Sequence, residues 1–244
     1  MRKSWILFIT LLSAGTAWAE EGGIALLQSG TDIKNTESLQ RGARNFMNYC
    51  SGCHSLKYLR YNRLAADLKI PESELGNLMF TTDKSFETIN SAMPKDSEGW
   101  FGKQPPDLSL MARARGTDYL YSYLKGYYVD KTRPWGVNNL YLPSTAMPHV
   151  MQSLQGLQKP VYKNEPDAQG NAKMVLASLA IMTPGAMKPE EYDQFVRDIV
   201  NFLDYAGEPV KEKRQSMGVF VTLFLLVFFV FAYLLKKEYW KDVH

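Results

Sequence analysis

The chain has 244 residues, 45% of them hydrophobic, a formal net charge of +3 and two cysteines. That length carries one sizeable domain plus accessory segments. A charge so near neutral, with no long Lys/Arg run, excludes a nucleic-acid binder, and two cysteines exclude a scaffold stapled by several disulfides.

Met1-Arg2-Lys3 is basic, residues 5–14 are apolar, and Ala17-Trp18-Ala19 has the small-x-small form of a cleavage site. Together they predict a signal peptide over residues 1–19, with the mature chain exported from Glu20. A retained N-terminal anchor is the competing reading, and the apolar stretch is short for a span. Losing Arg2 and Lys3 lowers the charge from +3 to +1. Residues 20–35 have no clean period and read as an irregular arm. Residues 36–49 then predict a helix, with Gly42, Phe46 and Cys50 at four-residue steps on one face. Gly42 is the place where another helix would come close, with Phe46 filling the space beside it.

That helix ends at Cys50-Ser51-Gly52-Cys53-His54, the C-x-x-C-H pattern of a c-type haem attachment site. The thiols of Cys50 and Cys53 would add across the porphyrin vinyl groups, and His54 would supply the proximal imidazole. A thioredoxin-like dithiol would want a strand ahead of the motif, where a helix is predicted. A zinc site needs four ligands, and the chain offers two cysteines and three histidines, His54, His149 and His244.

Leu39-Gln40-Arg41-Gly42, the haem motif followed by Ser55, and Arg60-Tyr61-Asn62-Arg63-Leu64 resemble the cytochrome c1 family in its proteobacterial form. Its members are the haem subunits of ubiquinol–cytochrome c reductase, the cytochrome bc1 complex. The resemblance covers nearly all of the mature chain and is weakest over residues 65–104 and 151–184. It implies a mainly α fold: a class I-like haem domain with long loop insertions and a single C-terminal transmembrane helix. Residues 67–102 are polar and show no periodic stretch. Pro105-Pro106-Asp107-Leu108-Ser109 and Ala112-Arg113-Ala114-Arg115 match the family block in which a Pro-Pro-Asp turn precedes a helix lining the haem. By that resemblance Arg115 is the partner of a haem propionate, with Tyr119 and Pro106 in the pocket. A guanidinium fork suits a carboxylate, whereas the residues alone read equally as solvated helix charges. Arg115-Gly116-Thr117-Asp118-Tyr119 is shorter than the usual glycine-containing run of the family.

Residues 135–143 read as a Pro/Gly/Asn-punctuated loop leading to Ala146-Met147-Pro148-His149. Three side chains compete for the sixth iron position. Met93, in Ala92-Met93-Pro94, fits the short spacing of small soluble c-type cytochromes. The resemblance selects Met147 instead, because the family carries a long insertion before its Ala-Met-Pro ligand loop. His149 would make a bis-histidine haem. Histidine–methionine ligation raises the reduction potential and leaves no open position for oxygen.

Residues 151–184 are irregular, with a small hairpin across Val161-Tyr162 and Met174-Val175-Leu176. Pro189-Glu190-Glu191 opens a helix, and Tyr192, Phe195, Val196, Ile199, Val200 and Leu203 form its apolar stripe before Gly207 and Pro209 end it. In c-type cytochromes this last helix crosses the first at the small residue. Residues 217–235 are nineteen without a charge, about 28 Å as a helix against a bilayer core of about 30 Å.

The expected layout is therefore a periplasmic haem c domain over residues 20–210, an anchor over 211–235 with its core at 217–235, and a cytoplasmic tail over 236–244. Basic residues flank the anchor on both sides, so orientation rests on the signal peptide. The resemblance implies one covalent haem c in a one-electron carrier with no catalytic acid, base or nucleophile of its own. It further implies the Rieske iron–sulfur protein as donor, a soluble or tethered c-type cytochrome as acceptor, cytochrome b beside the anchor, and a dimeric complex in the bacterial inner membrane. The alternative is a free-standing tethered cytochrome or the haem subunit of another oxidase or reductase. Glu72, Glu74, Asp96, Glu98, Glu165 and Asp167 are candidate docking acids for a basic acceptor, or solvated loop charges.

Overall fold

Asn35 caps the first helix of the described residues: its side-chain oxygen accepts from the Ser38 N–H at 3.0 Å, satisfying a backbone donor that the helix leaves free. This helix, α1, runs Thr36–Tyr49 in the computed structural model, with the bounds that periodicity predicts. The structure describes residues 24–166 and 172–242, so the signal peptide, Glu20 and Asp167 lie outside the described residues.

After the haem motif come β1 (Leu56–Arg60), α2 (Tyr61–Leu68), α3 (Glu72–Leu75), a 3-10 turn (Gly76–Leu78) and β2 (Thr88–Ile89), which pairs antiparallel with β1. Three further helices, α4 (Ser97–Phe101), α5 (Met111–Arg115) and α6 (Thr117–Lys125), lead to the hairpin β3 (Tyr127–Val129) and β4 (Val137–Asn139). Then come α7 (Gln152–Gln155), the hairpin β5 (Gly156–Pro166) and β6 (Ala172–Pro184), α8 (Pro189–Gly207) and α9 (Lys211–Tyr239).

Helices α1 and α8 cross at Gly42. A Cβ there would lie 2.0 Å from the Asp198 carbonyl oxygen and 2.8 Å from the Phe202 Cβ, so only glycine lets the backbones approach so closely. Phe46 and Phe202 then meet at 5.6 Å between ring centroids, both fully buried with Val196 and Ile199. Each such side chain contributes about 2 kcal/mol by leaving water. The crossing also carries a buried acid. Asp198 accepts from Ser38 Oγ at 2.6 Å, Arg41 Nε at 2.7 Å and Gln194 Nε2 at 2.8 Å. The bond to Asp198 and its charge raise the Arg41 pKa against the opposing effect of its own desolvation.

Two expectations change. The loop expected over residues 135–143 contains a strand, β4, whose Asn138 lies opposite Tyr128 of β3. The small hairpin expected near Tyr162 and Leu176 is present at that pairing but extends to eleven and thirteen residues per strand. Its outer residues, from Val161 to Asn164, are exposed, so neither face imposes a period of two. At its base Gly156 has φ +88° and its Cβ would stand 2.2 Å from the Thr183 carbonyl oxygen, which fixes glycine there.

Helix α9 contains the apolar stretch, with mean hydropathy 2.7 in its best window and none of that window buried. Lys211 reaches back to Asp204 at 2.7 Å, and Arg214 donates to Glu208 at 2.5 and 3.1 Å, joining the anchor to the end of α8.

Candidate functional site

Cys50 caps α1 and accepts from the backbone N–H groups of Cys53 and His54 at 3.1 and 2.9 Å, so the pentapeptide is one tight turn closing the helix. Cys50 is buried in the core and Cys53 half-buried, and no disulfide joins them. Burial pushes the Cys50 thiol up to about 12, with Cys53 adding to the rise, and burial also raises Cys53. A redox dithiol needs the opposite shift, which disfavours the thioredoxin-like reading.

His54 is buried, and its Nδ1 lies 2.7 Å from the Pro106 carbonyl oxygen. The donor must be the ring, so Nδ1 carries the proton and Nε2 keeps its lone pair for a metal. Burial lowers the His54 pKa, opposed by that hydrogen bond and by the charge of Asp107. The imidazole is thus held neutral and in the ligating tautomer.

The Pro106 carbonyl is itself stitched in place. Asp107 accepts from the Lys57 N–H and the Ser109 N–H, each at 2.9 Å, and the Leu108 N–H donates to the Ser55 carbonyl at 2.9 Å. Pro106 therefore meets the motif through its carbonyl. Arg115 is exposed, with its guanidinium 5.3 Å from the centroid of the Tyr119 ring.

Met147 is partly buried against the main core cluster, which includes Cys50. Met93 lines an open cleft of about 210 Å³ with Cys53, Lys57 and Asp107. Tyr127 donates to the Met147 carbonyl at 3.2 Å, and His149 stacks on the Tyr127 ring at 4.7 Å. Neither ring nitrogen of His149 has a hydrogen-bond partner among the described residues, and burial lowers its pKa to about 4. Of the candidate docking acids, Glu72, Glu74, Asp96 and Glu98 are exposed.

The loop bearing Met147 is built by two buried asparagines. Asn138 Oδ1 accepts from the Ser144 N–H at 2.8 Å while its amide donates to Asp130 at 2.9 Å. Asn139 donates to the Tyr123 carbonyl at 2.7 Å and accepts from the Tyr141 and Leu142 N–H groups at 2.9 and 3.2 Å. The positioning roles of Asp107, Tyr123, Tyr127 and both asparagines carry no periodic signature. Only the Asx-turn chemistry of Asn-Asn ahead of Pro143 hints at the loop.

The residues present fit a covalently held haem: paired thiols at the end of a packed helix, and a neutral histidine with Nε2 available. A helical domain closed by that turn and continued into one exposed apolar helix defines a membrane-anchored c-type cytochrome. A sequence profile of the Cytochrome C1 family matches residues 30–96 and 83–243. Cytochrome c1 of Allochromatium vinosum is 48% identical over all of both chains. The ammonia monooxygenase gamma subunit of Nitrosomonas europaea is 41% identical over 98% of each. Cytochrome c1 of Rhodospirillum rubrum is 29% identical over 96% of this chain and 94% of its own.

The chain belongs to the cytochrome c1 family. It carries one covalently bound haem c and is the membrane-anchored, electron-carrying haem subunit of a cytochrome bc1 complex.

Proposed function

We propose that Cys50 and Cys53 bind the haem covalently, that His54 and Met147 are its axial ligands, and that Arg115 and Tyr119 serve a propionate. Bound haem c supplies a one-electron couple at its iron. The observation that carries this reading is the bond from His54 Nδ1 to the Pro106 carbonyl, which leaves Nε2 as the coordinating nitrogen. Pro106 acts through that carbonyl. Met147 is preferred to Met93 because its side chain packs on the core cluster that contains Cys50, while Met93 lines an open cleft. His149 is the rival ligand, on the strength of its two unpartnered ring nitrogens.

The chain is read as residues 1–19 removed on export, a periplasmic domain over 20–210, an anchor over 211–235 and a cytoplasmic tail over 236–244. Its donor is the Rieske iron–sulfur protein and its acceptor a c-type cytochrome, with cytochrome b against α9 in a dimeric complex. The exposed acids Glu72, Glu74, Asp96 and Glu98 are the candidate docking charges on the described surface.

In the oxidised full-length protein, Met147→Leu is expected to abolish the weak far-red sulfur-to-iron absorption. Met93→Leu and His149→Leu are expected to keep it, and the reverse pattern overturns the ligand assignment. Cytochrome b and a Rieske protein should copurify with the haem-stained band. Isolation without cytochrome b would favour a free-standing tethered cytochrome or the haem subunit of another oxidase or reductase.

A further inference from the structure

Two tyrosine hydroxyls grip the segment that bears Met147 from both sides of Ala146. Tyr127 donates its single proton to the Met147 carbonyl at 3.2 Å. Its oxygen lies 2.8 Å from the Tyr123 hydroxyl, so the proton in that bond must come from Tyr123. The Tyr123 oxygen is in turn 2.8 Å from Thr145 Oγ1, and with the Tyr123 proton already used, Thr145 is the donor. The chain of donors therefore runs Thr145, Tyr123, Tyr127, Met147 carbonyl, and it begins and ends on the same loop.

The two tyrosines stand on rigid ground. Tyr123 lies in α6 and Tyr127 opens β3, with rings 5.6 Å apart and Tyr127 1% exposed. Burial raises both pKa values. Asn139 ties the far side of the loop to the Tyr123 carbonyl at 2.7 Å, so the loop is fastened to α6 twice.

We propose that Tyr123 and Tyr127 form a positioning clamp that sets where the Met147 thioether lies, acting through the Thr145 hydroxyl and the Met147 carbonyl on either side of Ala146. This rests on the assignment of Met147 as axial ligand. The clamp fixes how rarely the sixth ligand leaves.

Carbon monoxide binding to the reduced full-length holoprotein reads that rarity, because the gas enters only when Met147 has swung out and its rate scales with the open fraction. Tyr127→Phe is expected to raise the rate about fivefold, the factor that one net hydrogen bond represents, with covalent haem and the far-red absorption retained. Thr145→Val removes only the first donor and is expected to give a smaller rise of the same sign. The control is Tyr192→Phe, which deletes another buried tyrosine-to-carbonyl bond, to Leu124 at 3.2 Å, outside the loop. It should lower thermal stability without changing the rate. A Tyr127→Phe rate within about twofold of wild type, or an equal rise in Tyr192→Phe, overturns the clamp, since fivefold is what one bond should yield. If Met147→Leu keeps the far-red absorption, the ligand assignment itself fails and the clamp falls with it.

Discussion

The two sides of the proposed iron site are built by different means. On the proximal side the ligand comes with its own scaffold. Cys50, Cys53 and His54 sit within one turn of each other, and a single carbonyl from Pro106, braced by Asp107, completes the orientation. On the distal side Met147 lies in a segment without regular structure, and residues from 123 to 144 hold it. One side is written in five consecutive letters. The other is written in side-chain-to-backbone bonds that exist only after the chain has returned on itself. Proximal geometry should therefore survive loosening of the fold, whereas distal geometry should follow it closely.

The sharpest way to test this contrast is Asn139→Ala. Asn139 is fully buried, and removing its amide strands the Tyr141 and Leu142 N–H groups and one bond to the Tyr123 carbonyl. With the amide site itself fully buried but Tyr141 half-buried and Leu142 exposed, the three lost bonds cost about 2 kcal/mol together. Denaturant unfolding of the holoprotein should show that loss. The far-red absorption should fade at denaturant concentrations where the fold persists, while haem remains covalently attached. Retention of the absorption up to global unfolding would mean that Asn139 supports the domain and not the ligand loop.

Asp107→Ala is the matching proximal test and should have a smaller effect. Asp107 is half-buried, and of the two backbone N–H groups it holds that of Lys57 is exposed and that of Ser109 buried, so its loss costs about 1 kcal/mol. The Pro106 carbonyl then wanders from His54 Nδ1, which should shift the haem reduction potential. Carbon monoxide binding, which reports the distal side, should stay at the wild-type rate. A rise in that rate would show that the two sides are coupled through the 105–109 segment.

The same contrast explains what the sequence discloses. Helices α1 and α8 are legible because their apolar residues recur at a period of three to four, although α8 is buried on every side from Asp198 to Leu203, and Gly42 marks their crossing through the absence of a side chain. The haem turn is legible because its chemistry demands contiguous residues. Tyr119 and Tyr123 share a helix face by spacing, but Tyr127 lies past the end of α6 at Gly126, where helical period no longer applies. Its partner Met147 is twenty residues away, so no local pattern joins them. The β5–β6 hairpin is illegible for another reason: Val161 to Asn164 are exposed one after another, so no period of two marks that strand.

The last and smallest effect concerns acid. Asp130 sits in the β3–β4 turn, accepting from Thr132 Oγ at 2.6 Å, from the Asn138 amide at 2.9 Å and from the Thr132 N–H at 3.0 Å. These bonds, the Thr132 hydroxyl first, hold its carboxyl below the ordinary value of 3.8. A carboxyl depressed by folding stabilises the fold above its unfolded pKa and ceases to do so as pH falls through its folded value. The turn therefore holds at neutral pH and loosens only in acid, below the usual aspartate range. Because Asn138 is shared, its amide nitrogen donating to Asp130 while its Oδ1 holds the Ser144 N–H, loosening passes to the Met147 loop and not to His54. In Asp130→Asn the acid step disappears, since the amide does not titrate, and the far-red absorption should fall off more gradually below pH about 4 than in the wild type. Identical acid profiles for the two proteins would show that Asp130 titrates without moving the ligand loop. The distal scaffold would then end at Asn138.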